Sequence, residues 1–303
     1  MLDLHRLRLL RELRLRGTLA AVAEALSYSP SAISQQLAQL ESETGVVLLE
    51  RVGRRVRLTE QAEILVRHTE KVLGQLELAE AELAASLREI TGQIRVAVFQ
   101  TAALALVPAA VSALAVAHPG LRARVRQLDP EQALPALQAR DFDLVVGEDY
   151  PEEPQPRLPG LTLRPLDRDP LRLAVPDSFA ADGLADLADA PWAMEPVGTA
   201  PRRWAQGVCR SAGFEPDVRF ESTDMLLHAR LVETGHAASI LPDLLWASIP
   251  GPPRLLALPG APARTIFTAV REGAERHPAV TAFRAALADS LAALRGALTL
   301  DGA

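Results

Sequence analysis

Leucines recur along MLDLHRLRLLRELRLRG at helical spacing, which predicts an opening helix with Leu4, Leu7, Leu10 and Leu13 turned inward. Two shorter helices are expected next. Thr18 is placed to cap the first, and Leu19, Val22, Ala23 and Leu26 share one of its faces, with small residues between them that let another helix cross closely. Ser27 and Tyr28 interrupt the pattern. Ser29 is a good N-cap, Pro30 sits where its missing N–H costs nothing, Ile33, Leu37 and Leu40 give an inward face, and Gly45 ends the helix. The outward face of this helix carries Ser31, Ser34, Gln35 and Gln39. The segment from Val46 to Leu58 reads as a small hairpin turning at Val52-Gly53-Arg54-Arg55. From Thr59 to about Ile90 one long helix is expected. Val72, Leu76, Ala79, Leu83 and Ile90 fall at near-heptad spacing, and Glu77, Glu80, Glu82 and Glu89 lie on a wet face. An apolar seam on an isolated helix needs a partner, and the same helix of a second subunit is the simplest one.

From Ile94 the period changes. Strand-like runs at 94–99, 121–125 and 142–146 alternate with helical stretches over 101–117 and 130–140, an order that implies a parallel sheet with helices on both faces. A second unit follows, with strands at 171–175, 192–195, 218–221 and 238–242 and helices at 201–212 and 224–234; strands at 255–258 and 266–270 and a last helix over 278–298 complete the chain. Segments 163–169 and 258–266 read as two crossings between lobes. The expected fold class is therefore α+β and multidomain. An N-terminal winged helix-turn-helix over 1–58 leads through a linker and dimerisation helix over 59–91 to a two-lobed α/β domain over 92–303. Lobe I would take 92–165 and 266–303, and lobe II 166–265.

Two α/β lobes joined by two crossings leave a cleft, and ligands of such sheets sit beyond the C-terminal ends of strands, beside helix N-termini. That rule nominates Gln100 and Thr101, Leu128 and Asp129, Gly147 and Glu148, Gly198 and Thr199, and Ser222 and Thr223. The acids Asp129, Glu148 and Asp149 point toward an effector with a cationic group.

The formal net charge is −6, but residues 1–58 hold nine arginines against six carboxylates, so the front end is basic and the body acidic. A helix-turn-helix presents the N-terminal part of its second helix to the major groove, where short polar side chains meet base edges; that nominates Ser29, Pro30, Ser31, Ser34 and Gln35. The hairpin arginines Arg51, Arg54, Arg55 and Arg57 are placed to hold phosphates or enter a narrow minor groove. Cys209 is the single cysteine, which excludes an internal disulfide and fits a reducing cytoplasm; no apolar run reaches the length of a membrane span. No nucleophile elbow, phosphate loop or dinucleotide fingerprint is present. His228 and His236 have no companions at metal-ligand spacing, so neither metal nor cofactor is expected and the chain does not read as an enzyme.

These segments together resemble the LysR-type transcriptional regulators over nearly the whole chain. DLHRLRLL, Gly17-Thr18-Leu19, AEAL, SPSAISQQLAQLE, ETGVVLLER, GRRVRLTEQA and GHAASILP stand in that family's order and spacing. The resemblance implies a dimerising linker helix and an effector domain like the periplasmic binding proteins. It also implies a homodimer or homotetramer on partly palindromic double-stranded promoter DNA, with RNA polymerase as a further partner, and a small molecule in the cleft as the switch. It puts Pro30, Ser31 and Gln35 at bases, Ser34 and Arg51 at the backbone, Arg54 in the minor groove and Thr101 at the effector. Two departures stand out. Pro30-Ser31 replaces a frequent Gln-Pro, and Gln35 replaces a frequent Arg, which moves the preferred base toward adenine. The expected function is a cytoplasmic, nucleoid-associated, sequence-specific regulator governed by an effector. A constitutive DNA-binding regulator with an unoccupied cleft is the alternative.

Overall fold

The computed structural model describes residues 2–52, 55–249 and 251–300. Three helices open the chain, α1 (Leu4–Arg16), α2 (Leu19–Leu26) and α3 (Pro30–Thr44), followed by the hairpin of β1 (Leu49–Val52) and β2 (Arg55–Leu58). Local chemistry sets their ends. Asp3, Thr18 and Ser29 each accept a backbone N–H of the helix they cap, and Gly17 and Gly45 close α1 and α3 in the left-handed conformation, at φ 77° and 69°. Ile33, Leu37 and Leu40 meet Val22, Ala23 and the leucines of α1 in one core. The inward set of α1 is Leu7, Leu9, Leu10 and Leu13; Leu4 is 38% exposed. The helix packs against α2 and α3 and also against the next helix, so its buried face is broader than one leucine stripe and its first turn projects past the core.

The linker helix α4 (Glu60–Ala85) is capped by Thr59 and ends short of residue 90. Its inward face is Ala62, Val66, Thr69, Leu73, Glu77 and Ala81. Val72, Leu76 and Leu83, the apolar residues of the expected seam, are 46%, 43% and 68% exposed, while Ile90 packs on the first lobe instead. Glu77 is not on a wet face. It is buried, accepting from Arg271 Nε at 2.5 Å and from Arg140, because two guanidinium groups of the first lobe reach the helix at that point.

The first lobe is built from β3 (Gly92–Val98), α5 (Gln100–Ala105), α6 (Val107–Ala117), β4 (Leu121–Gln127), α7 (Pro130–Gln138) and β5 (Leu144–Asp149). The expected single helix after β3 is broken at Leu106, since Pro108 has no N–H to donate and its ring opposes the carbonyl one turn earlier. Strand β6 (Leu161–Val175) carries the chain onward without interruption. The second lobe follows with β7 (Pro191–Met194), α8 (Ala200–Ser211), β8 (Asp217–Glu221), α9 (Met225–Glu233), β9 (Ser239–Pro242), α10 (Asp243–Trp246) and β10 (Arg254–Ala257). The chain returns through β11 (Ala263–Arg271) and closes with α11 (Pro278–Leu300). The short helix α10 has no counterpart in the sequence pattern.

β4, β3 and β5 are parallel; β11 runs antiparallel to β5 and to the first part of β6. Up to Pro170, β6 pairs with β11; from Leu171 on it pairs with β9 and β10, so one strand serves both lobes. The first lobe buries α6 and α11 against one face, with Phe99 and Phe283 in that core, and α7 against the other, with Phe142 and Phe267. The second packs Trp192, Trp204 and Cys209 against β6.

Candidate DNA interface and interlobe cleft

On the DNA side, α3 divides cleanly. Ile33, Leu37 and Leu40 are fully buried, whereas Ser29, Pro30, Ser31, Ser34 and Gln35 are all exposed and lie on the first two turns. Ser29 Oγ accepts from Ala32 N at 3.2 Å and lies 3.0 Å from Ser31 Oγ, which holds both hydroxyls at the helix start. The hairpin is tied to this helix by Glu41, whose Oε1 accepts from Leu48 N at 2.7 Å and from Leu49 N at 3.0 Å. Thr59 adds a bond from its hydroxyl to the Val47 carbonyl. Arg51 and Arg57 are exposed on β1 and β2. Arg54 and the side chain of Arg55 lie outside the described residues. Glu41 is a positioning residue that the sequence pattern did not single out; Thr59, expected at the start of the linker helix, ties the hairpin as well.

The cleft lies between the lobes and encloses about 40 Å³, room for a few waters. Its floor is organised by Arg264 on β11, which is fully buried. The guanidinium donates to Asp169 Oδ2 through Nε at 3.0 Å and Nη2 at 2.8 Å, to Thr101 Oγ1 at 2.6 Å and to Glu148, and it lies 5.0 Å from the centre of the Phe99 ring. Burial works against its charge, but Glu148 and Asp169 outweigh that, and its pKa lies above the ordinary arginine value. Burial raises Glu148 to about 7 against the pull of Arg264. Glu195, at the end of β7, is also raised to about 7 by burial, with its own backbone N–H the leading opposing influence. At the mouth, burial and then Glu131 raise Asp129 above the usual carboxylate range. Gln100 spans the lobes, donating to Asp224 Oδ1 at 2.6 Å and accepting from Met225 N at 2.8 Å at the start of α9.

Of the nominated effector residues, Gln100, Thr101, Asp129, Glu148, Thr199 and Thr223 line this cleft. Gly198 and Ser222 do not. The Gly198 carbonyl instead accepts from Arg203, and Ser222 Oγ accepts from Asp224 N, so both serve the local turns. Leu128 and Gly147 are likewise off the wall; the Phe267 ring packs directly over Gly147, leaving no room for a Cβ. Thr101 is fully buried, with its hydroxyl occupied by Arg264. Thr199 caps α8, whereas Asp224, not Thr223, caps α9. Asp149 is satisfied by Gln155 N and Arg157. The sequence reading missed Arg264, Asp169, Tyr150 and Glu195. The available signal was a charged residue inside an otherwise apolar strand pattern, as in ARTIFTAV and PWAME.

Cys209 is fully buried, and its thiol is pushed up to about 12 by burial and the nearby Glu215. No described helix is long and apolar enough to cross a membrane.

Comparison with known proteins agrees with both halves. Residues 4–63 match the bacterial regulatory helix-turn-helix protein model of the lysR family, and residues 87–292 match the LysR substrate binding domain. The transcriptional dual regulator GltC of Bacillus subtilis is 27% identical over 251 residues, covering 81% of this chain and 82% of that protein. A hydrogen peroxide-inducible genes activator of Dickeya chrysanthemi is 25% identical over 276 residues, covering 84% and 89%. Full-length OxyR from Pseudomonas aeruginosa superposes with a TM-score of 0.67 over 95% of each chain at 20% identity, a likeness of fold. The chain joins a DNA-binding helix-turn-helix to a substrate-binding domain and belongs to the LysR family of transcriptional regulators.

Proposed function

We propose that this regulator reads promoter DNA with Ser31, Gln35 and their neighbours on α3, holds the backbone with Ser34 and the hairpin arginines, and is switched by a small molecule in the interlobe cleft. The observation that carries the reading is the division of α3. Its inward face is buried while Ser31, Ser34 and Gln35 of its first two turns are left open beside an arginine-bearing hairpin. That is the arrangement in which a helix enters a major groove. The units are residues 1–58 for DNA, 59–91 for pairing and 92–303 for the effector. The exposed Val72, Leu76 and Leu83 on α4 support pairing with a second copy, as a homodimer or within a homotetramer. The protein works in the cytoplasm as a DNA-bound regulator rather than an enzyme, with RNA polymerase as the machinery it influences.

Some relatives are named for hydrogen peroxide. The only cysteine here is buried with its thiol pushed up to about 12, the opposite of the exposed, readily ionised thiol that peroxide sensing requires. A bound effector, not thiol oxidation, is the reading the cleft supports.

The test is fluorescence anisotropy with the intergenic DNA upstream of the protein's own gene against scrambled DNA of equal length. Tighter binding to the former, over a salt series, is expected. Equal affinity for both at every salt concentration would overturn the reading of α3.

A further inference from the structure

The cleft wall is acidic after its internal pairs are set aside. Arg264 is shared between Glu148 and Asp169, so that cluster already carries one negative charge in excess when all three are ionised. Asp224 is taken by Gln100 and by Leu226 N. What remains is Glu195 on one lobe and Asp129 on the other, with Glu131 beside Asp129 accepting from Gln155 Nε2 at 3.3 Å, all lining the same cleft. Glu195 is the telling residue. It is only 8% exposed, and among the described residues no other residue donates a hydrogen bond to its carboxylate; Arg202 bonds the backbone carbonyl instead. A buried carboxylate bonded by its own backbone N–H alone is only partly compensated, and one facing a cleft is relieved further by a cation that fills it.

We infer that the effector carries a cationic group, an ammonium or guanidinium, that Glu195 receives, with Asp129 and Glu131 closing on it from the opposite lobe. The assignment rests on the cleft being the effector site. It also gives the switch a physical sense. A cation between carboxylates of two lobes stabilises the arrangement that brings them together, and only such differential affinity shifts a population. Without the ligand, burial holds Glu195 at about 7, so the cation binds best where the carboxylate is ionised.

The experiment uses the full-length protein in thermal-shift and calorimetric titrations with probes matched in length. These are 1,5-diaminopentane against pentane-1,5-diol and glutarate, and L-arginine against L-citrulline. At least one cationic probe should raise Tm while its neutral or anionic counterpart does not. Its Kd should fall about tenfold from pH 6 to pH 8, as expected for a carboxylate titrating near neutrality. The same probe should bind at least about tenfold more weakly to the Glu195→Gln variant, with Asp129→Asn as a second variant that weakens binding from the other lobe. Binding of glutarate or the diol in preference to the amine would overturn the cation assignment and leave the cleft as an effector site. Cation binding untouched by both substitutions would place the cation elsewhere and overturn it too. Silence from probes of every charge would overturn the assignment together with the effector-site reading.

Discussion

Gln35 offers both a donor and an acceptor from one exposed amide, a pattern that complements adenine N6 and N7 in the major groove. Gln35→Ala should cost about 1–3 kcal/mol on the cognate site and far less on random DNA, read from competition binding; equal losses would refute base reading. Glu195 makes a different prediction, about stability. Its folded pKa of about 7 lies above its ordinary value of 4.5, so between those values the folded state holds the extra proton. Stability from this group is therefore complete below pH 4.5 and is lost as pH rises toward 7. Glu195→Gln should match the parent in unfolding free energy near pH 4.5 and exceed it by up to about 3 kcal/mol at pH 8, in urea titrations at the two pH values. Thr101 is a positioning residue. Its hydroxyl fixes Arg264, and a substitution there is expected to act on the cleft through that guanidinium.

Two elements link the cleft to the rest of the chain. β11 carries Arg264 in the cleft floor at one end and Arg271 against α4 at the other, where Arg271 Nε donates to Glu77 at 2.5 Å. The turn after β11 presses equally close: a Cβ on Gly273, which has φ +91°, would lie 2.4 Å from the Gly74 carbonyl of α4. Linker helix and first lobe thus meet backbone to backbone at the end of β11 remote from the cleft. Beside this contact, on the flank of the same helix, Leu76 is open. Leu76→Glu, placed on this seam, should shift sedimentation toward a slower species while leaving the circular dichroism of the chain unchanged. An unaltered sedimentation profile would remove α4 from the interface.

At the scale of the whole molecule the charge is divided, with nine arginines against six carboxylates in residues 1–58 and an acidic remainder. The two parts are held together within the chain: Arg11 Nη2 donates to the Gln138 carbonyl at 2.7 Å, and Arg16 bonds Asp141 at 3.0 Å, joining α1 to the end of α7. Those arginines are committed to the body, whereas Arg51 and Arg57 stay exposed on the hairpin. Arg51→Ala should weaken cognate and random DNA alike and reduce the slope of log K against log salt by about 1, measured by anisotropy from low to physiological salt. A slope equal to that of the parent would mean that Arg51 neutralises no phosphate.

The DNA-binding half was legible because its instructions are local. Caps, glycine stops and a 3.6-residue period lie within Thr18–Gly45, and an exposed polar face follows from the buried one by geometry alone. The alternation of strands and helices likewise announced two lobes and the strand ends facing a cleft. Tertiary structure decided what the cleft is made of. Thr101 and Arg264 are 163 residues apart, Arg264 and Asp169 95 apart, and no period connects them. Whether an acid is spent on an internal partner, as Glu148 and Asp149 are, or left facing the cleft, as Glu195 is, depends on which guanidinium lies within hydrogen-bond reach once the chain has closed on itself. Glu77 shows the same thing at α4, where a residue patterned for water became the buried anchor of two arginines. Short-range periodicity fixes which face of an element is apolar, but Coulomb pairing acts through space, and only the folded chain sets those distances.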